Sequence, residues 1–221
     1  MKKPYFDQEF LRFLQELAGN NNRDWFNENK ERYIKHVKEP LEVFCGDLIM
    51  QSSKLIPGCD NFTPKQSLKR IYRDTRFSKD KTPYKLHVSG AISAERKGLN
   101  SPELYFQLSA EDCRIYVGCY SPDKDHLNAI RQSISSQPKK FQKIISSKKF
   151  VSTYGEIHGD KNKRIPKEFR EAAEEQALIF NKGFYVYTKW EPELALSKNI
   201  IKEFLAAYKV AMPLEEFLFP K

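Results

Sequence analysis

Glu103-Leu104-Tyr105-Phe106-Gln107-Leu108-Ser109-Ala110-Glu111-Asp112-Cys113-Arg114-Ile115-Tyr116-Val117-Gly118-Cys119-Tyr120 is the stretch whose reading decides the fold. Leu104, Phe106 and Leu108 alternate with Tyr105, Gln107 and Ser109; Ile115, Val117 and Cys119 alternate with Arg114, Tyr116 and Gly118. A period of two sends alternate side chains to opposite faces of a strand, so each run has one apolar and one polar side. The link Ala110-Glu111-Asp112 is short and polar, which predicts an antiparallel hairpin over residues 103–120.

Upstream, Leu86, Val88, Gly90 and Ile92 alternate with His87, Ser89, Ala91 and Ser93, predicting another strand, and Lys69-Arg70-Ile71-Tyr72 reads as a short one. Downstream, residues 184–190 read as the last. Helices surround these strands. Asp7 can cap a helix with Phe10, Phe13, Leu14 and Leu17 on one face and Gly19 as its stop. Asn20-Asn21-Asn22 offers the cap of a second, with Asp24 in its first turn and Phe26, Tyr33 and Val37 in a stripe; Pro40 suits the start of a third through Leu41, Phe44, Leu48 and Leu55. Leu127, Ile130 and Ile134 mark a helix after Pro122, and Phe141, Ile144 and Ile145 mark another after Pro138. Residues 155–164 read as a polar loop, Pro166 opens a helix through Ala177, and residues 194–218 close the chain with helix. The expectation is α+β: a single domain over residues 1–221, with a central mainly antiparallel sheet flanked by N-terminal and C-terminal helices.

The composition fits a soluble globular protein: 40% hydrophobic, 30% charged and 13% aromatic residues are too apolar for a disordered chain and too evenly charged for a membrane one. No apolar run approaches a spanning helix, and Met1-Lys2-Lys3-Pro4-Tyr5 leads into Asp7, Gln8 and Glu9 instead of a signal core, so the expected setting is cytoplasmic with no membrane partner. Cys45, Cys59, Cys113 and Cys119 form no CxxC pair and are read as reduced. His36, His87, His126 and His158 lack HxxxH or HxH spacing, so neither a metal nor a cofactor is expected. Glycine-rich phosphate loops and nucleophile elbows are absent. The isolated Glu156 and His158, and the adjacent pairs Glu111/Asp112 and Glu174/Glu175, do not read as active sites.

Three stretches carry a resemblance: Asn20-Asn21-Asn22-Arg23-Asp24-Trp25-Phe26 continuing to Asn29-Lys30 and Tyr33; Arg70-Ile71-Tyr72-Arg73-Asp74-Thr75-Arg76-Phe77-Ser78-Lys79-Asp80-Lys81-Thr82-Pro83-Tyr84-Lys85; and Tyr105-Phe106-Gln107-Leu108-Ser109. The chain resembles the domain-of-unknown-function family 2461 of bacterial and fungal proteins over nearly its whole length, including Leu127-x-x-Ile130-Arg131 and Pro213-Leu214-x-x-Phe217-Leu218. The resemblance implies an α+β fold and an intracellular setting, without an activity or a catalytic residue.

Charge is concentrated in the middle motif. The chain has 38 basic and 29 acidic residues, a net +9, while residues 65–85 alone hold eight basic and two acidic ones, a net +6. Arg70, Arg73, Arg76, Lys81 and Lys85, with the Tyr84 hydroxyl, have the donors that a phosphate or carboxylate needs. Against this stands a structural reading: Arg73, Asp74, Arg76 and Asp80 pair with one another to order the loop, and Phe77 and Tyr84 anchor it. The polar faces of the strands can extend an anion site, since Tyr105 and Gln107 share a side with Tyr116, Arg114 and His87; the bland alternative is a face covered by helices.

The leading expectation is a binder of a phosphate- or carboxylate-bearing small molecule between the basic loop and the face of Tyr105, Gln107 and Tyr116. If the ligand is turned over, Asp74 and His87 are the candidate acid–base groups. The alternative is a non-catalytic module for nucleic acid or an acidic protein, using the same loop with Lys139, Lys140, Lys143, Lys148 and Lys149. The sequence gives no oligomeric state.

Overall fold

In the computed structural model, which describes residues 3–94, 101 and 103–219, the two alternating runs form the middle of a four-stranded sheet. Strands β1 (His87–Ser93), β2 (Glu103–Ser109), β3 (Cys113–Cys119) and β4 (Phe184–Trp190) lie in sequence order, each antiparallel to the next. The hairpin turn closes on the Ser109 hydroxyl, whose oxygen accepts the Glu111 and Asp112 amides at 3.1 and 3.0 Å. Register then fixes the faces. Ile92, Leu104 and Val117 fall in one row and Gly90, Phe106 and Ile115 in the next, all on the side that carries the core. Gly90 is required there, because a Cβ would sit 2.7 Å from the Phe106 ring.

Helices cover that apolar side. Helix α1 (Gln8–Gly19) starts at Asp7, whose carboxylate accepts the Phe10 amide, and buries Phe10, Phe13, Leu14 and Leu17. Asn22 caps α2 (Arg23–Glu28) in the same way. The second and third helices expected from sequence are not separate: α3 (Lys30–Tyr33) passes through a π turn, Ile34–Lys38, straight into α4 (Glu39–Ser52). Pro40 explains the π turn, since it lacks the amide that would continue the helical ladder and the chain widens just before it. A short helix α5 (Pro64–Ser67) follows. After β3 come α6 (Lys124–Ser136), α7 (Pro138–Ile145), α8 (Lys148–Tyr154) and the brief α9 (Arg170–Glu175); α10 (Ile200–Leu218) ends the fold. Phe44 of α4 meets Phe106 of β2 edge-on at 5.3 Å, and Phe204 of α10 meets Trp190 of β4 at 5.3 Å, so these helices seal the sheet's core side. Burying each such ring contributes about 1.5–3 kcal/mol.

Three local expectations change. Residues 69–72 are not a strand; single bridges, Leu68 to Gly90 and Tyr72 to Tyr84, hold that stretch beside β1 and across the basic loop. The helix expected from Pro166 to Ala177 shrinks to α9 between two 3-10 turns. The loop at residues 155–164 touches the sheet: the His158 amide donates to the Tyr185 carbonyl at 2.7 Å and the Tyr185 amide donates back at 3.2 Å. The four cysteines are buried and form no disulfide with one another, and burial pushes the thiols of Cys45, Cys113 and Cys119 up to about 12. Among the described residues no helix is long and apolar enough to cross a membrane.

Candidate functional site

On the other side of the sheet, register lines up polar and aromatic side chains. Tyr105 lies opposite Tyr116 and Tyr116 opposite Tyr187; Gln107 lies opposite Arg114 and Arg114 opposite Lys189. Tyr105, Gln107, Arg114, Tyr116, Tyr185 and Tyr187 are each half-buried, so this face is neither fully covered nor fully solvated. The rings touch: Tyr105 and Tyr116 have centroids 5.9 Å apart, Tyr116 and Tyr187 5.4 Å, and Tyr120 and Tyr185 5.1 Å. Polar groups hold them in place. The Gln107 amide donates to the Tyr105 hydroxyl at 3.5 Å, and Arg114 donates to the Tyr116 hydroxyl at 3.5 Å while its Nε reaches both Asp112 oxygens at 2.8 Å.

A cavity of about 600 Å³ opens over this face, lined by Tyr105, Gln107 and Tyr116 together with Lys69, Glu103, Tyr120, Ser121 and Tyr185. Gly118 forms part of its wall with φ +114, and a Cβ there would lie 2.4 Å from the Phe184 carbonyl oxygen. Lys69 and Glu103 sit close enough to interact: burial raises the Glu103 carboxyl above its ordinary value, and Lys69 opposes that rise. Beside them Lys85 is held below the usual lysine value by burial first, then by Arg70 and Lys69. His87 is likewise held down by burial, then by Lys85 and Arg114, with Asp112 acting the other way. Lys69, Arg70 and Lys85 therefore form a cationic border along the β1 side of the face.

The rest of the basic loop pairs its charges within itself. Arg73 donates to Asp80 and to the Thr82 hydroxyl. Arg76 grips both oxygens of Asp74 at 3.0 and 2.7 Å, Lys81 donates to the Thr75 carbonyl at 2.9 Å, and Lys85 to the Arg70 carbonyl at 3.1 Å. Those contacts hold Asp74 below its ordinary value, through Arg76 first, and Asp80 down to about 2, through the Thr82 amide first and then Arg73. Tyr84 is 3% exposed and stacks on Phe26 at 4.0 Å, and Asn21 brackets it by donating to its carbonyl at 2.9 Å and accepting its amide at 3.0 Å. Tyr84 is thus the loop's anchor and presents no side chain to solvent. Phe77, expected to share that role, does not: it is 95% exposed.

Of the residues singled out from sequence, the structure gathers Tyr105, Gln107 and Tyr116 into one cavity and sets Arg70, Lys85 and His87 at the same edge, while Arg73, Arg76 and Lys81 remain in the loop with partners of their own. Sequence reasoning missed Lys69, Glu103, Tyr120 and Tyr185. Tyr185 was legible, because Phe184 and Val186 alternate with Tyr185 and Tyr187, and pairing that last strand with β3 puts both tyrosines beside Tyr116. No local pattern marked Lys69, whose place follows from the Leu68 bridge to Gly90. A comparison with curated proteins gives no match. The family described as conserved hypothetical protein (DUF2461) matches residues 9–217, and the chain belongs to that family.

Proposed function

We propose that the protein binds a phosphate- or carboxylate-bearing small molecule on the polar face of its sheet. The observation that carries this reading is one cavity in which a lysine, Lys69, a side-chain amide, Gln107, and the rings of Tyr105, Tyr116, Tyr120 and Tyr185 converge. An ammonium group meets an anion, the amide and phenols orient the ligand by hydrogen bonds, and the rings take up its apolar part. The basic loop contributes Arg70 and Lys85 at its two ends, whereas its tip spends Arg73 and Arg76 on Asp80 and Asp74. For a reaction at this face His87 is the better acceptor of a proton than Asp74: its lowered value leaves the ring neutral at pH 7, while Asp74 is an anion clamped by Arg76. An open basic stripe for a polymer partner running from the loop to Lys149 has less support, because Lys149 shares a groove with Lys202 and Lys209 of α10, the helix that packs on the opposite side of the sheet.

Calorimetry and thermal shift against phosphorylated metabolites, nucleotides and sugar acids test the reading. A specific anion is expected to bind wild type, to weaken at least tenfold on Lys69→Ala or Gln107→Ala, and to keep its affinity on Arg76→Ala. Loss on Arg76→Ala alone would move the site to the loop tip, and failure of every anion to bind would sink it.

A further inference from the structure

The tyrosine cavity has a neighbour that wraps the β4 edge of the sheet, with Tyr187 and Lys189 on its polar side and Thr188 and Tyr154 on its core side. A second cavity, about 530 Å³, is lined by Gly155, Glu156, His158, Tyr187, Thr188 and Lys189. Rings connect the two: Tyr116 of the first lies 5.4 Å from Tyr187 of the second, and the His158 ring lies 4.8 Å from Tyr187 and 5.9 Å from Tyr185. His158 is placed there by its backbone bridge to Tyr185, which adds one more position beyond β4. The outcome is a continuous aromatic row, Tyr105, Tyr116, Tyr187 and His158, across three strands and past the edge. Beside it the same register sets Gln107, Arg114 and Lys189 in a second row, in which Asp112 already holds the Arg114 guanidinium and Lys189 carries the free charge.

We infer that this face takes a single strand of nucleic acid at least two nucleotides long, with bases against the aromatic row and phosphates toward Lys69 and Lys189. The inference rests on the anion-binding reading and extends it. A lone small anion needs one cavity; two cavities bridged by rings fit a ligand in which a flat group and a charge repeat. Aromatic side chains accept the π-face of any base, and a cation beside each cavity meets the phosphates that join the bases. Lys69 and Lys189 stand at opposite ends of the face, Lys69 in the first cavity and Lys189 in the second, and neither has a salt bridge among the described residues. A neutral sugar chain would occupy the rings and leave the Lys189 charge unanswered.

The test is calorimetry at low salt with three probes: thymidine 5′-monophosphate, a six-residue oligothymidylate and an oligogalacturonate of similar length. Wild type is expected to bind the oligothymidylate at least tenfold more tightly than the monophosphate. Lys189→Ala should erase that gain and leave the monophosphate unchanged, whereas Lys69→Ala should weaken both. Lys189 is exposed, so its variant keeps the fold, as an unchanged melting temperature will verify. Equal affinity for monomer and oligomer would overturn the two-cavity ligand while leaving anion binding in place. Tighter binding of oligogalacturonate would replace nucleic acid by an acidic sugar chain, and no binding by any of these probes would overturn the extension, while the anion-binding reading falls only if the wider anion screen is also silent.

Discussion

In the basic loop Arg73 faces Asp80 and Arg76 faces Asp74, side chains seven and two residues apart in the chain; across the sheet, Tyr105, Tyr116 and Tyr187 are brought together from three strands spanning more than eighty residues. The loop therefore has the higher density of charge and the sheet face has the geometry. An arginine already bidentate to a carboxylate must give up that partner to take a ligand, and at an exposed position water competes for both. A side chain placed by strand register keeps its position whether or not a ligand is present, so its donors are aimed before binding. A count of basic residues alone identifies the first region, and only pairing identifies the second.

The sharpest way to break this contrast is to disturb register. Gly118→Ala puts a Cβ 2.4 Å from the Phe184 carbonyl at a backbone angle of φ +114, which L-residues rarely adopt. Strand β4 must shift, at a cost of roughly 3–5 kcal/mol, the sum of left-handed strain and overpacking. Urea denaturation should show that loss, and a value under 1 kcal/mol would mean the face tolerates sliding. Next in size is the loop's buried aromatic anchor. Tyr84→Ala removes the ring stacked on Phe26 and should cost about 3–4 kcal/mol, comparable to other large aromatic truncations in cores. A loss that small surface changes produce, a few tenths, would show that the loop hangs on its ion pairs after all.

The two regions also differ in how far their residues could be read in advance. Alternation placed Tyr105, Gln107 and Tyr116 on one face because the period of a strand is two and both runs were long enough to show it. The same reasoning applied to residues 184–190 yields Tyr185 and Tyr187 once β4 pairs with β3. Lys69 and His158 were not legible: each reaches the face through a single backbone bridge, Leu68 to Gly90 and His158 to Tyr185, formed by segments with no strand pattern. The π turn before Pro40 escaped for a related reason, since the sequence marks where a helix ladder is interrupted but not whether the axis continues. Phe77 was misjudged because an aromatic residue in a polar loop looks like an anchor; its neighbour seven residues on, Tyr84, has the Asn21 side chain waiting for its backbone and Phe77 has only the Arg76 guanidinium 5.7 Å away.

Carboxylates sharpen the contrast through pH. Asp80, in the loop, sits at about 2, and Glu215 of α10, behind the sheet, is pushed up to about 7 by burial, even though the Tyr208 hydroxyl and the Glu103 amide both donate to it. Glu103 begins β2, so this buried carboxyl fastens the hairpin to α10. Its folded value lies above the unfolded one, near 4.5, so between those pH values the folded chain holds a proton that the unfolded chain has released. Stability must then fall as pH rises through that window, by on the order of 3 kcal/mol. Denaturation profiles from pH 4.5 to 7.5 should slope downward, and Glu215→Gln should flatten them. The loop contributes in the opposite sense and elsewhere: the lowered Asp80 adds stability above about pH 4 that disappears as pH drops toward 2. An unchanged slope in Glu215→Gln would assign the pH dependence to other groups.

The smallest expected effect is the most telling. Arg76 is exposed over three quarters of its side chain, its only ion-pair partner among the described residues is Asp74 two positions away, and the Phe77 ring beside it is itself in solvent. Arg76→Ala removes a short-range surface pair whose Coulomb energy water screens and whose side-chain entropy is regained on truncation. The melting temperature should not move measurably, and anion affinity at the sheet face should stay the same. Arg73 is the internal control: it is more covered and joins Asp80 to Thr82 across the loop's mouth, so Arg73→Ala should lower the melting temperature slightly more than Arg76→Ala does, with binding again unaffected. A result in which either arginine abolishes binding while the melting temperature holds would mean that the pair opens to admit ligand, that the aspartates are place-holders for an incoming anion, and that the loop and the sheet face form one site.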